Sequence, residues 1–141
     1  MLGRLLARLT GRRVALGGKA LGAAGERLAA KHLKRNGYTV LARNVIVPAG
    51  EADIVCAAPD GRTLVMVEVK TRAVAPGSVD HVPPEAAVHA HKREKLLQVA
   101  RQLVRRPGWR GYSFRIDVIA VEWCPCGDHV VRHHVGAVGE R

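Results

Sequence analysis

The stretch GEADIVCAAPDGRTLVMVEVKTR, residues 50–72, decides the fold. Two runs rich in aliphatic and β-branched residues flank Pro59-Asp60-Gly61, a pattern that predicts a β-hairpin with a two-residue turn at Asp60-Gly61. Residues equidistant from that pair then face each other, so Asp53 opposes Glu68 and Glu51 opposes Lys70. Opposed side chains stand roughly 5 Å apart at Cβ, and two carboxylates there repel, so something positive is expected between Asp53 and Glu68. Alternation puts Leu64, Met66, Glu68 and Lys70 on one face, which begins apolar and ends charged. Charges at the end of an apolar strand are costly unless paired or metal-bound, which places a site at the edge of the core. Two carboxylates are hard oxygen donors suited to Mg²⁺ or Mn²⁺. Lys70 then stands where a cation can orient water or stabilise developing negative charge. The same residues also permit a plainer arrangement of cross-strand ion pairs, Glu51 with Lys70 and Asp53 with a nearby arginine.

Outward from the hairpin, helical spacing of Leu21, Leu28, Ala29 and Leu33 predicts a helix over 19–36, ended by a left-handed cap at Asn36-Gly37. Strands are expected at 38–47, 51–57 and 63–71, then a flexible stretch over 75–84. A helix over 84–106 follows, stopped by Pro107-Gly108. Strands at 112–123 and 129–135 are joined by the turn Pro125-Cys126-Gly127-Asp128. The order is αβββαββ, an α/β domain over 19–141. Before it, residues 1–18 form a basic arm carrying Arg4, Arg8, Arg12 and Arg13 and no acid.

The chain has 141 residues, 48% apolar and 25% charged, enough for one domain with a real core. Its 23 Lys and Arg against 12 Asp and Glu give a formal charge of +11, which favours polyanionic partners, nucleic acid foremost. No apolar run is long enough to suggest a membrane span. Three cysteines are an odd number, and Cys56 lies in an apolar strand, which fits a reducing, cytoplasmic compartment. Cys124, Cys126, His129, His133 and His134 invite a zinc reading, but Cys-x-Cys is tighter than the usual zinc knuckle, and a polar hairpin turn is the favoured reading. There is no Ser-His-Asp order and no phosphate-binding glycine loop.

Gly50-Glu51-Ala52-Asp53 followed by Val67-Glu68-Val69-Lys70-Thr71-Arg72 resembles the PD-(D/E)xK signature of restriction-endonuclease-like nucleases. More closely, the chain resembles the YraN family, whose domain is similar to archaeal Holliday-junction resolvases. The resemblance spans about residues 25–122, with Gly25-Glu26, Ala42-Arg43-Asn44, Lys92 and Arg115-Ile116-Asp117-Val118 in the family's order. It departs in having no proline before Asp53 and in Ala52, where a larger aliphatic residue is usual.

The resemblance implies a mixed sheet flanked by helices, Asp53 and Glu68 as metal ligands, Lys70 as the catalytic lysine and Glu26 as an additional helical acid. It implies a Mg²⁺- or Mn²⁺-dependent nuclease acting on DNA rather than RNA, and a homodimer as in junction-cutting relatives. Lys92 shares a helical stripe with Val88, Leu96, Val99 and Leu103. Together with Arg72, Arg43 and Arg115 at strand ends it is an expected nucleic-acid contact, solvated surface being the alternative for the arginines. The rival function is a non-catalytic nucleic-acid-binding module assisting DNA repair, recombination or uptake.

Overall fold

The computed structural model describes residues 16–75 and 90–139. Residues 1–15 of the expected arm, 76–84 of the expected flexible stretch and the expected start of the second helix at 84–89 lie outside the described residues. The elements are α1 (Gly18–Arg35), β1 (Thr39–Val47), β2 (Gly50–Ala57), β3 (Thr63–Ala73), α2 (Ala90–Leu103), β4 (Ser113–Trp123) and β5 (Val130–Val138), in the expected order αβββαββ. They build one five-stranded sheet in the order β1-β2-β3-β4-β5. Among the described strands only β3 and β4 pair in parallel, from Thr63↔Ser113 to Ala73↔Trp123. A parallel pair needs a crossover, and α2 lies in that connection.

The helices cover opposite faces. Ala29, Ala30 and Leu33 of α1 pack on Ile54, Cys56, Val65, Val67, Ile119 and Val121. Leu96, Val99 and Leu103 of α2 pack on Val45, Val47, Val55, Leu64, Met66 and Ile116. Buried on both sides, β3 is continuously apolar from Leu64 to Val67, and its burial carries on through Glu68.

Two local features fix α1 on the sheet. Its C-terminus closes with Gly37 N–H donating to the Lys34 carbonyl (3.2 Å) and Tyr38 N–H to the Leu33 carbonyl (3.0 Å), with Gly37 at φ 85°. This is the cap expected at Asn36-Gly37. Further back, Gly25 meets β3 so closely that an added Cβ would lie 2.8 Å from Thr71 Cβ and overlap its hydroxyl oxygen. Glycine is required there because no side chain fits between helix and strand.

The hairpin keeps the expected register, Ile54↔Val67 through Ala57↔Leu64. Its turn is different. Ala58 N–H donates to the Thr63 carbonyl (2.9 Å) and Gly61 N–H to the Ala58 carbonyl (3.0 Å), so four residues, Pro59 to Arg62, make the loop. Asp60 holds it by accepting from the N–H groups of Arg62 (2.8 Å) and Thr63 (3.0 Å). The larger loop is centred on the same pair, so the register is unchanged.

At the other hairpin, Gly127 N–H donates to the Cys124 carbonyl (3.0 Å). Cys124 and Cys126 are joined by a disulfide rather than standing as separate thiols, their Cα atoms 5.1 Å apart across the turn, within ordinary bridging reach. Cys56 is free and buried, and burial pushes its thiol up to about 12, so it packs as a small hydrophobe. No helix among the described residues is long and apolar enough to cross a membrane.

Candidate active site

The β2–β3 ladder stops at Ile54↔Val67, although β2 goes on pairing with β1 to Gly50 and β3 with β4 to Ala73. Beyond that rung the two strands part. The cause lies at Asp53: Ala52 packs into the core under α2 and Ile54 into the core under α1, so β2 turns its faces over between them. Asn44 of β1 lies at the same level and has φ 50°, the one positive value of a non-glycine residue among the described residues. Asparagine tolerates that conformation better than most side chains.

Asp53 fills the place of the missing rung, its Oδ2 accepting from Val69 N–H at 2.8 Å. Its carboxyl group also lies against that of Glu68. Burial, then the charge of Glu68, push Asp53 up to about 7. Glu26 comes down from α1, with the Asn44 side chain hydrogen-bonded to it. Its pKa is raised first by burial and then by Glu51, against the lowering influence of Arg43, with Glu68 adding to the rise. Glu68 itself is buried, and one of its oxygens, Oε1, faces both Lys70 Nζ (3.2 Å) and Lys92 Nζ (3.5 Å). The positive charge expected at the carboxylates is supplied by two ammonium groups on Glu68.

Glu26 on α1, Asp53 on β2, Glu68 and Lys70 on β3 and Lys92 on α2 are therefore brought together, with Arg43 of β1 near Glu26. Arg72 stays on β3, in register with Glu122 of β4. Arg115 is not at the site. Its guanidinium grips the buried Asp117 through Nε (2.8 Å) and Nη2 (3.0 Å) and donates to the Tyr38 hydroxyl (2.9 Å). An arginine two residues from an acid on a strand shares its face, and that spacing was the available signal for this pairing. Two residues escaped the sequence reading: Asn44, whose signal is an asparagine breaking a strand pattern, and Glu51, which was read only as a salt-bridge partner of Lys70.

The donor set suits a hard divalent cation. The charges of Glu68 and Glu26 oppose ionisation of Asp53, and a divalent cation would relieve that opposition. Among the described residues no three His, Cys, Asp or Glu side chains form a closed ligand group. Mg²⁺ needs none, since it commonly takes one or two carboxylates and completes its shell with water and phosphate.

Comparison with known proteins follows the same residues. A model of the uncharacterised protein family UPF0102 matches residues 25–121. A UPF0102 protein of Solibacter usitatus is 43% identical over 100 residues, covering 71% of this chain and 73% of the relative. One from Pelobacter propionicus is 37% identical over 116 residues, covering 82% and 80%. Among solved structures, a repair endonuclease from Pyrococcus abyssi aligns with a TM-score of 0.41 at 15% identity, over 74% of this chain and 38% of that one. An EndoMS–dsDNA complex aligns at 0.40 and 19%, over 74% and 36%. The family model and the relatives establish that the chain belongs to the UPF0102 family, the YraN family that its motifs resemble.

Proposed function

We propose that the chain is a divalent-metal-dependent nuclease of the restriction-endonuclease-like class, hydrolysing phosphodiester bonds at the parted end of the β2–β3 hairpin. The observation that carries this reading is the cluster in which Asp53 takes the place of a strand rung beside buried Glu68, with Lys70 Nζ 3.2 Å from Glu68. Asp53 and Glu68, with Glu26 above them, would hold Mg²⁺ or Mn²⁺, which when bound supplies Lewis-acid polarisation of a phosphoryl oxygen. Asp53 would hold the cation in its ionised form, so metal affinity is expected to rise with pH through about 7. Lys70, released from Glu68, faces the negative charge that builds on the phosphorus oxygens. Lys92 holds a neighbouring phosphate, and Arg43 and Arg72 extend the cationic surface along the strand ends. The polymer in this proposal is DNA rather than RNA, two copies of the chain form the working unit, and the basic residues 1–18 add an electrostatic contact.

A panel of labelled linear, flapped and four-way-junction DNAs with matching RNAs, incubated with Mg²⁺, Mn²⁺ or EDTA, tests it. Cleavage is expected with metal and none with EDTA. Lys70→Ala should keep folding and metal binding while lowering the rate about a hundredfold, since a preorganised charge of this kind is worth roughly 3 kcal/mol. Wild-type protein that binds the panel and cuts nothing with either metal overturns the nuclease. One observation favours a second reading, a nucleic-acid-binding module without chemistry: Lys70 and Lys92 already neutralise Glu68. In that case Lys70→Ala lowers affinity slightly and there is no rate to lose.

A further inference from the structure

At the end of the hairpin away from the carboxylates lies a cleft of about 240 Å³ between the β2–β3 loop and the segment joining α2 to β4. Leu41, Leu64, Trp109 and Tyr112 line it, and Gly61 and Gly108 form part of its rim. Its volume is below the roughly 300–1,000 Å³ of pockets for drug-sized ligands, a size for one planar ring system. The chain has two Trp, two Tyr and one Phe, and one Trp and one Tyr of these, Trp109 and Tyr112, line this cleft. Tyr112 is 51% and Leu41 46% exposed, so large apolar surface is left to solvent at the cleft.

The neighbouring charges are one-sided. Arg62 flanks the cleft on the loop, and Arg105, Arg106 and Arg110 flank Trp109 in sequence, all four exposed. Arg106 stands 5.8 Å from the centre of the Trp109 ring and is anchored by donating to the Ile46 carbonyl at 2.8 Å. The local acid, Asp60, is occupied by the loop's own N–H groups and by the Thr63 hydroxyl (2.8 Å). An apolar peptide in this cleft would offer no anion to these four arginines, of which Arg106 and Arg110 each donate to a backbone carbonyl. A nucleotide uses both parts, its base against the rings and its phosphates against the arginines.

We propose that this cleft binds a single unstacked nucleobase of a single-stranded segment of nucleic acid, stacked on Tyr112 and Trp109, with Arg62, Arg106 and Arg110 on the flanking phosphates. The inference rests on the nucleic-acid reading above and adds to it a preference for strands with unpaired bases. Leu64 and Glu68 are four residues apart on one face of β3, so the captured base sits about 13 Å from the carboxylates. It would hold a strand in place while the bond at the hairpin's parted end is addressed.

The test compares oligothymidylate with a blunt duplex of equal length, using full-length protein with Trp123→Phe so that emission reports Trp109 alone. Oligothymidylate should quench that emission. Tyr112→Ala should weaken oligothymidylate binding about tenfold, within the range of one base–aromatic stack, and leave duplex affinity within twofold. Tyr112→Phe, which keeps the ring, should restore it. Equal losses on both DNAs, or an unchanged oligothymidylate affinity, overturn the pocket, as does quenching by an apolar peptide and not by oligothymidylate. If metal-dependent cleavage of the panel persists beside such a result, the nuclease stands and the base pocket alone fails; if no nucleic acid binds at all, both fail.

Discussion

Asp53 and Asp117 are acids of one sheet, on β2 and β4, and their surroundings drive them in opposite directions. Asp117 is fully buried, yet it is held below the usual carboxylate range. Burial alone would raise it, but His133 Nε2 (2.7 Å), two nitrogens of Arg115 and Gly136 N–H (2.9 Å) outweigh that. Asp53 receives one backbone N–H and otherwise faces acids, and it is pushed up to about 7. The first carboxylate is complete: its charge is matched inside the fold and asks for nothing further. The second is left short of positive charge, a state that costs stability and is found where a ligand is to complete it.

The largest expected effect lies on the complete side. Asp117→Ala leaves the Arg115 guanidinium without its partner and should cost about 3–5 kcal/mol in urea unfolding, as removal of one member of a buried ion pair does. A loss under about 1 kcal/mol would erase the distinction drawn here. The folded pKa of Asp117 is depressed, so its contribution is present above the unfolded value near pH 4 and is lost as pH falls further through the folded value.

Asp53→Asn should act with the opposite sign, because the asparagine keeps an acceptor for Val69 N–H and removes the repulsion. With the folded pKa raised, the native state binds the extra proton between about pH 4 and 7, so wild-type stability falls as pH rises through that window. The variant should therefore gain about 2 kcal/mol at pH 8 and nothing near pH 4, read as the difference in thermal unfolding between the two pH values. A variant less stable than wild type at pH 8 would show that Asp53 is as structural as Asp117. The smallest effect is expected for His133→Gln, whose amide can still donate to Asp117. A loss of about 1 kcal/mol would show that Arg115 and Gly136 carry most of the stabilisation, and a loss near that of Asp117→Ala would shift it to His133.

The same contrast explains what could be read in the sequence. Hairpin register follows from symmetry about Asp60-Gly61, so it came out right even though the loop has four residues, and Asp53, Glu68 and Lys70 were legible with it. Helical stripes and caps were legible because they repeat locally. Arg115 was not, since a periodic pattern says which face an arginine occupies but not that a buried acid on that face has claimed it. Asn44 shows no role in the sequence because its importance lies in one dihedral angle. The Cys124–Cys126 bridge closes over a single residue, a spacing at which an odd set of cysteines gives no sign of pairing.

The side chain that stands in for a missing rung makes one amide a gauge. Because the strands part after Ile54 and Val67, Val69 N–H has the Asp53 carboxyl group where its neighbours have backbone carbonyls. Its hydrogen-exchange rate and chemical shift therefore follow the state of one acid, whether protonated, ionised or drawn toward a cation. Amides a few residues along β3 report only the opening of the sheet. A single resonance can thus be watched while pH and cation concentration are varied, with no label and no substrate.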